Sequence, residues 1–317
     1  MEKIVKAINN GGSFLVCMHV DPDGDTIGSA SALCSMLEKL GKKFDLYCSN
    51  KVPDVYSFLK YSGDIRSQID KDRQYDVLIA LDCADSKRIP GYEELEKMCG
   101  LVVNIDHHAD NTKFGDINFV KARSSTGELI YDLTKKMKFA MDKDMASAIY
   151  SAIVTDTGNF RYSNCTARVL KIAAELVEAG ADPHDISIKI YESKTGSEIK
   201  ILGKALEKIE LIMGGQAAYT WLFRSEINAA GAIDEEMSSI ADHLRALKGV
   251  DVAAFLKEMP DGKVKINLRS KQRNVQMVAK ELGGGGHSKA SGIVMDGPLE
   301  AAKDRLIKTI EDKWTQL

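Results

Sequence analysis

The first half of the chain alternates short apolar runs with helical patterns. Residues 14–20, 44–48, 77–83 and 101–106 are nearly continuous apolar stretches of strand length, the pattern of strands buried on both faces of a sheet. Residues 26–40 carry a helical pattern ended by Gly41. A second helix is predicted over 125–136, with Ser124 or Ser125 as cap and Glu128 in its first turn. Residues 144–154 are apolar on nearly every side, which predicts a buried helix with Asp156 just beyond it. The pattern repeats over 166–178 and stops at Gly180, and Asp182-Pro183 turns the chain. Strands alternating with helices in this way predict βαβ units and a parallel sheet, hence an α/β domain.

Composition shifts afterwards. Residues 191–197 are polar, and 198–212 read as a charged amphipathic linker helix. Strands follow at 217–223, 252–259 and 264–268, the last two joined by the turn Pro260-Asp261-Gly262 into an antiparallel hairpin. Helical patterns cover 234–247, 275–282 and 298–314. The expected organisation is a parallel-sheet domain over residues 1–190, a hinge and linker helix over 191–212, and a smaller α+β domain over 213–317. The cleft between the two bodies is the default place for a site.

Bulk properties narrow the partners. A net charge of −3 over 317 residues gives no global basic field, so long nucleic acid is not expected. Aromatic residues make up 7%, too few for a stacking channel along a single strand. Residues 1–12 lack the apolar stretch of a signal peptide, and no apolar run approaches the length of a membrane span. Six cysteines include no CxxC pair, which reads as reduced thiols and a cytoplasmic protein that keeps off membranes. A homodimer is compatible with these properties.

The candidate chemistry lies at the ends of the apolar runs. Asp106-His107-His108 follows one, His19-x3-Asp23-x-Asp25 and Asp82 end two others, and Asp156 lies downstream. In open α/β sheets ligands bind outside the carboxyl ends of the strands, so these groups are expected to converge. Pro22 and Gly24 impose a turn that aims Asp23 and Asp25 at neighbouring points, and Thr26 is placed to cap the helix that follows. Asp21 and Asp85 read as caps only, and Cys83, beside Asp82 with no basic neighbour in sequence, as a core thiol. Four converging carboxylates balance two divalent ions, and without cations they would raise one another's pKa values. Nitrogen and oxygen ligands without thiolate favour two Mn²⁺ ions, with Mg²⁺ or Co²⁺ as substitutes. Such a pair supports in-line hydrolysis of a phosphate ester.

In the second half, Gly283 to Gly286 would let backbone N–H groups approach an anion. His287 and Ser288 add side-chain donors, and Arg269 and Lys271 add positive charge. Arg161, near Asp156, is placed to clamp a phosphate. Ser124-Ser125-Thr126-Gly127 offers donors at a helix start, although capping explains it equally well.

These residues resemble the DHH phosphoesterase family. His19-x-Asp21-x-Asp23-x-Asp25-x-x-Gly28 is similar to its first motif, Leu81-Asp82 to the second, Asp106-His107-His108 to the third and Thr155-Asp156-Thr157-Gly158 to the fourth. Gly283 to His287 resembles the glycine-rich loop of the DHH-associated C-terminal domain. Length and spacing resemble the oligoribonuclease/pAp phosphatase branch. The resemblance implies one metal held by His19, Asp23 and Asp82, and a second by Asp25, Asp82, His107 and Asp156. Asp106 would orient one of the two histidines, and His108 would face the scissile phosphate. Substrate contacts would come from Arg161, Arg269, Gly284, Gly285, Gly286, His287 and Ser288. The residues alone do not say which of His107 and His108 binds metal.

The implied activity is hydrolysis of very short RNA oligonucleotides to mononucleotides and of 3′-phosphoadenosine 5′-phosphate (pAp) to AMP. A cyclic or linear dinucleotide phosphodiesterase (c-di-AMP, pApA or pGpG) is the alternative within the superfamily. A metal-dependent nucleotide sensor without turnover is the non-enzymatic one, disfavoured by the complete ligand set. RecJ-like exonucleases would need further nucleic-acid-binding domains, and family II pyrophosphatases a cationic second domain.

Overall fold

In the computed structural model, which describes residues 1–237 and 239–317, the apolar runs of the first half become parallel strands. The chain divides into two units, Met1–Ser193 and Lys194–Leu317.

The first unit runs α1 (Glu2–Asn10), β1 (Ser13–Met18), α2 (Gly24–Lys39), β2 (Lys43–Tyr47), β3 (Ile65–Arg66), β4 (Val77–Leu81), α3 (Tyr92–Lys97), β5 (Val102–Asp106) and β6 (Ile117–Val120). Helices α4 (Thr126–Lys136), α5 (Lys143–Asp156), α6 (Ala167–Glu178) and α7 (Pro183–Tyr191) complete it. The sheet order is β3-β2-β1-β4-β5-β6, with every neighbouring pair parallel. Strand order therefore reverses between β1 and β4, which opens a crevice beyond their carboxyl ends.

Alternation along β1 explains why both sheet faces are apolar. Phe14, Val16 and Met18 join the core formed with α2, α4 and α5, while Leu15 and Cys17 join Leu95 and Met98 on the other face. Helix α2 is buried from Gly24 to Leu37, and each fully buried Ile, Leu or Met there contributes roughly 1.5–3 kcal/mol. That outweighs the cost of burying its hydroxyls, of which Ser35 Oγ has no hydrogen-bond partner among the described residues while those of Ser29 and Ser31 are satisfied. Ser31 Oγ donates to the Lys60 carbonyl at 2.7 Å and Ser29 Oγ to Asp25 at 3.2 Å.

Two glycines let the helices meet. A Cβ at Gly28 would lie 2.5 Å from the Ala148 carbonyl oxygen, and one at Gly127 2.4 Å from the Ala152 Cβ. Helices α2 and α4 thus pack directly on α5, and the residues at their N-termini are drawn toward the end of α5.

The second unit comprises α8 (Gly196–Glu207), β7 (Glu210–Ile212), β8 (Ala217–Leu222), α9 (Arg224–Ala230), α10 (Ile240–Arg245), β9 (Val252–Glu258), β10 (Val264–Ser270), α11 (Gln276–Glu281), β11 (Gly285–Gly286), β12 (Ala290–Met295) and α12 (Leu299–Lys313). Its sheet order is β11-β12-β10-β9-β8-β7, with β8 and β9 parallel and the other pairs antiparallel. Helices α11 and α12 cover one face, and α8, α9 and α10 cover Ala218, Leu222, Ala253 and Phe255 on the other.

Several local expectations shift. The helix expected through residue 212 stops at Glu207, because Glu210, Leu211 and Ile212 pair with β8; an available strand edge outweighs helix propensity. Ile201 and Ala205 of α8 belong to the second unit's own core. The pattern over 234–247 becomes a 3₁₀ turn at Asp234–Met237 followed by α10; Ser238, within that expectation, lies outside the described residues. Asp156 is the last residue of α5 rather than a residue beyond it. Helix α2 is capped by Asp23, not Thr26: its carboxylate accepts from the Asp25 and Thr26 amides at 3.1 Å each, while Thr26 Oγ1 donates to the Leu81 carbonyl at 3.3 Å. Asp85 caps a short 3₁₀ turn, whereas Asp21 caps no helix and accepts from Asn50 Nδ2 at 2.8 Å.

Candidate metal centre

The crevice at the strand reversal gathers the motif residues of the first half. His19 follows β1, Asp82 follows β4, and Asp106 ends β5. Asp82 has φ +58°, a left-handed conformation costly for a residue with a Cβ. It turns the carboxylate out of the strand and toward both neighbouring motifs. His19 Nε2 lies 3.4 Å from Asp82 Oδ2 and 3.8 Å from Asp23 Oδ1. His107 Nε2 lies 3.4 Å from Asp82 Oδ1, 3.5 Å from Asp156 Oδ2 and 3.7 Å from Asp25 Oδ2. Asp82 therefore presents one oxygen to each histidine.

The two 3.4 Å spacings to Asp82 fit ligation better than direct pairing. Charge-assisted N–H···O bonds run at about 2.7–2.9 Å. Two atoms each bound about 2.1 Å from one ion, at 90–109°, lie about 3.0–3.4 Å apart. The ring partners agree, since a ligand histidine donates its other N–H to an acceptor. His19 Nδ1 lies 2.7 Å from the Val20 carbonyl and 3.2 Å from Arg88 Nη2; the shorter contact is the hydrogen bond, and it leaves Nε2 facing Asp82 and Asp23. His107 Nδ1 lies 3.2 Å from the Arg123 carbonyl, whereas His108 Nδ1 lies 2.6 Å from Asp106 Oδ1. His107 thus turns Nε2 into the carboxylate cluster, and Asp106 orients His108.

Electrostatics describe a cluster that needs cations. Burial opposes charge on His19, yet Asp23 and Asp82 outweigh it and raise its pKa to about 10. His107 is likewise raised to about 10, against burial, by Asp156, Asp82 and Asp25. Burial, then Asp82 and Asp156, push Asp25 well above the usual carboxylate range. Asp156 is pushed to about 7, chiefly by burial, with Asp23 and Asp82 adding to it against the pull of His107. Asp106 is held below its usual value despite burial, by His108 and Asn111. Converging carboxylates push one another and the two histidines toward their protonated forms, a repulsion that bound cations would offset.

Other contacts had no clear signal in the sequence. The amides of Thr126 and Gly127 donate to the two oxygens of Asp25 at 2.7 and 2.9 Å, and Thr126 Oγ1 donates to Asp82 at 3.0 Å. Asn111 Nδ2 donates to Asp106 at 2.6 Å. Asn164 Nδ2 bridges the carbonyls of Ser124 and Asp156 at 3.1 and 3.0 Å. The run Ser124-Ser125-Thr126-Gly127 was the only hint, and it read equally well as a plain cap. Cys83 is fully buried, its thiol donates to the Leu81 carbonyl at 3.1 Å, and burial pushes its pKa well up; it is an inert core thiol.

Arg161 is exposed on the loop after α5, and its Nε donates to the Gly158 carbonyl at 2.7 Å. In the second unit Arg269 stands opposite Ala290 on the β10–β12 ladder, and Ala290 follows the exposed His287 and Ser288 by three and two residues. A Cβ at Gly284 would lie 2.2 Å from the Gly292 carbonyl oxygen, so close strand approach already requires that glycine; the Cβ position of Gly285 meets only open space.

Comparison with known proteins agrees with the geometry. Residues 13–153 match the DHH family, N-terminal domain, and residues 214–316 the DHHA1 domain. The chain is 30% identical over 317 residues to the Thermus thermophilus protein named bifunctional oligoribonuclease and PAP phosphatase NrnA, covering 99% of this chain and 93% of that one. A Bacillus subtilis protein of the same name is 27% identical over 314 residues, covering 98% and 97%. A crystal structure of an exopolyphosphatase-related protein from Bacteroides fragilis matches with TM-score 0.92 and 27% identity, covering 98% and 95%. With both domains matched and a full-length relative at this identity, the chain belongs to the DHH family.

Proposed function

We propose that this protein is a metal-dependent phosphohydrolase that degrades very short RNA oligonucleotides to mononucleotides and dephosphorylates pAp to AMP. The observation that carries the reading is the convergence of Asp23, Asp25, Asp82 and Asp156 on the Nε2 atoms of His19 and His107, at 3.4–3.8 Å for the paired histidine contacts. The names of the two full-length relatives support the substrate assignment.

His19, Asp23 and Asp82 would hold one ion, and Asp25, Asp82, His107 and Asp156 the other, with Mn²⁺ as the proposed metal. Bound ions would supply the positive charge that polarises a phosphoryl oxygen and lowers the pKa of an attacking water. His108, its Nδ1 fixed by Asp106, meets the scissile phosphate and passes a proton to the leaving ribose oxygen as the P–O bond breaks. Arg161, and in the second unit Arg269, Gly284, Gly285, Gly286, His287 and Ser288, are the proposed substrate contacts. Six free cysteines, four of them buried, support a reducing, cytoplasmic setting.

The test is Mn²⁺-dependent product release from an RNA dinucleotide, a longer RNA, pAp and a cyclic dinucleotide in parallel. Fast turnover of the dinucleotide and pAp with slow attack on the others supports the proposal. Preference for the cyclic compound would replace it with second-messenger hydrolysis, and Mn²⁺ binding without any turnover would replace it with a sensor.

A further inference from the structure

We infer that residues 123–127, locked by the buried carboxylate of Glu128, form a positioning strap that sets the affinity of the centre for its ions. The inference rests on the metal-site reading above and adds residues that no ligand assignment includes.

The strap touches three of the proposed ligands directly and is tied to a fourth through Asn164. The Arg123 carbonyl accepts from His107 Nδ1 at 3.2 Å and so selects the tautomer that turns Nε2 inward. The Thr126 and Gly127 amides grip both oxygens of Asp25 at 2.7 and 2.9 Å. The Thr126 hydroxyl reaches Asp82 at 3.0 Å. Through Asn164, the Ser124 carbonyl is tied to the backbone of Asp156. The sequence separations involved, 101 residues from Thr126 to Asp25 and 44 to Asp82, make this a tertiary device rather than a local turn.

Glu128 is what holds the strap. It is 2% exposed, and its Oε2 accepts from both the amide and the hydroxyl of Ser124, at 2.9 and 2.8 Å. Its Oε1 accepts from Arg168 at 2.6 Å and lies 3.4 Å from Arg123 Nε. A capping role needs none of this, because Ser125 Oγ already caps α4 by accepting from the Glu128 amide at 3.1 Å. A buried carboxylate is costly without partners, and here the partners are the strap and the arginine that clamps it from α6.

The experiment compares wild type, Thr126→Val, Thr126→Ser and Glu128→Gln, each stripped of metal. Mn²⁺ titration by calorimetry is read beside thermal unfolding of the metal-free forms. Thr126→Val keeps shape and both backbone amides but removes the hydroxyl on Asp82. The expected result is a Kd for Mn²⁺ weakened roughly 10- to 100-fold, with unfolding of the metal-free protein nearly unchanged. Thr126→Ser restores binding to near the wild-type value, and Glu128→Gln weakens it while the protein still folds. Wild-type affinity in both Thr126→Val and Glu128→Gln overturns the inference, as does a loss that Thr126→Ser fails to rescue. Absence of Mn²⁺ uptake by the wild type would instead overturn the metal-site reading itself.

Discussion

The contact between α4 and α5 can be tested by adding a single methyl group. In Gly127→Ala the new Cβ would lie 2.4 Å from the Ala152 Cβ, about 1 Å inside ordinary carbon–carbon contact. Both atoms are fixed to helix backbone, so the helices must part by a comparable amount. The Gly127 amide then stretches from its 2.9 Å bond to Asp25 toward a separation that is no longer a hydrogen bond. Overpacking of this kind costs about 1–3 kcal/mol. For a unit of this size each kcal/mol lowers Tm by about 2–4 °C, so a fall of roughly 2–12 °C is expected, together with weaker Mn²⁺ binding. Ala152→Gly alone costs about 1 kcal/mol in helix propensity. In the double variant the next neighbours of the new Cβ are the Ile149 carbonyl oxygen at 3.4 Å and Ser125 Oγ at 3.5 Å, which is ordinary contact. The double variant should therefore recover about 1–2 kcal/mol relative to additivity and regain Mn²⁺ affinity. Additive effects in urea unfolding, or a Gly127→Ala protein as stable as wild type, would refute the close-packing argument.

The two neighbouring histidines should separate in their roles. His107→Asn is expected to lose one Mn²⁺ equivalent by metal analysis, whereas His108→Asn keeps both and loses roughly 100- to 10,000-fold in kcat; equal metal loss in both would reverse the assignment. The metal-free protein should lose stability as pH rises. His19 and His107, raised from 6.5 to about 10, contribute stability that is full below their unfolded pKa and lost through about pH 10. Asp156, raised to about 7, acts with the same sign at lower pH. Urea unfolding at about pH 7 and about pH 9.5 should show the loss without Mn²⁺ and little of it with Mn²⁺ bound; the same loss in both would show that the histidines do not bind metal. Cys83 should resist a thiol reagent in the native protein while Cys165 reacts, and mass mapping showing Cys83 modified first would refute its burial.

Much of the first unit was legible because parallel strands buried on both faces read as unbroken apolar runs. Wherever such a run ended in His19, Asp82 or Asp106, chemistry stood at the carboxyl edge. The distinction between His107 and His108 was not legible. It depends on the Arg123 carbonyl and Asp106 as the two Nδ1 partners, and the first of these lies 16 residues away on another loop. Nor did the pattern disclose β6 or α1, since Ile117-Asn118-Phe119-Val120 is too short to stand out from its polar surroundings and α1 buries only Ile4, Ala7 and Ile8. In the second unit, Glu210-Leu211-Ile212 continues the helical pattern of α8, and only the edge of β8 decides that it becomes a strand.

The proposed ligand set and the packing are two sides of one constraint. Asp25 and Asp156 reach the crevice from helices α2 and α5, not from strand ends, so their positions are only as good as the fit between those helices. That fit relies on positions without side chains: Gly28 against the Ala148 carbonyl, and Gly127 against Ala152. The cost is mutual repulsion among carboxylates that, with burial, pushes Asp25 and Asp156 toward their protonated forms. Binding of divalent ions would relieve that repulsion and displace those protons together. Metal uptake should therefore register in the folding stability of the first unit as directly as in catalysis, and a mutation that loosens the helices should weaken metal binding before it removes any ligand.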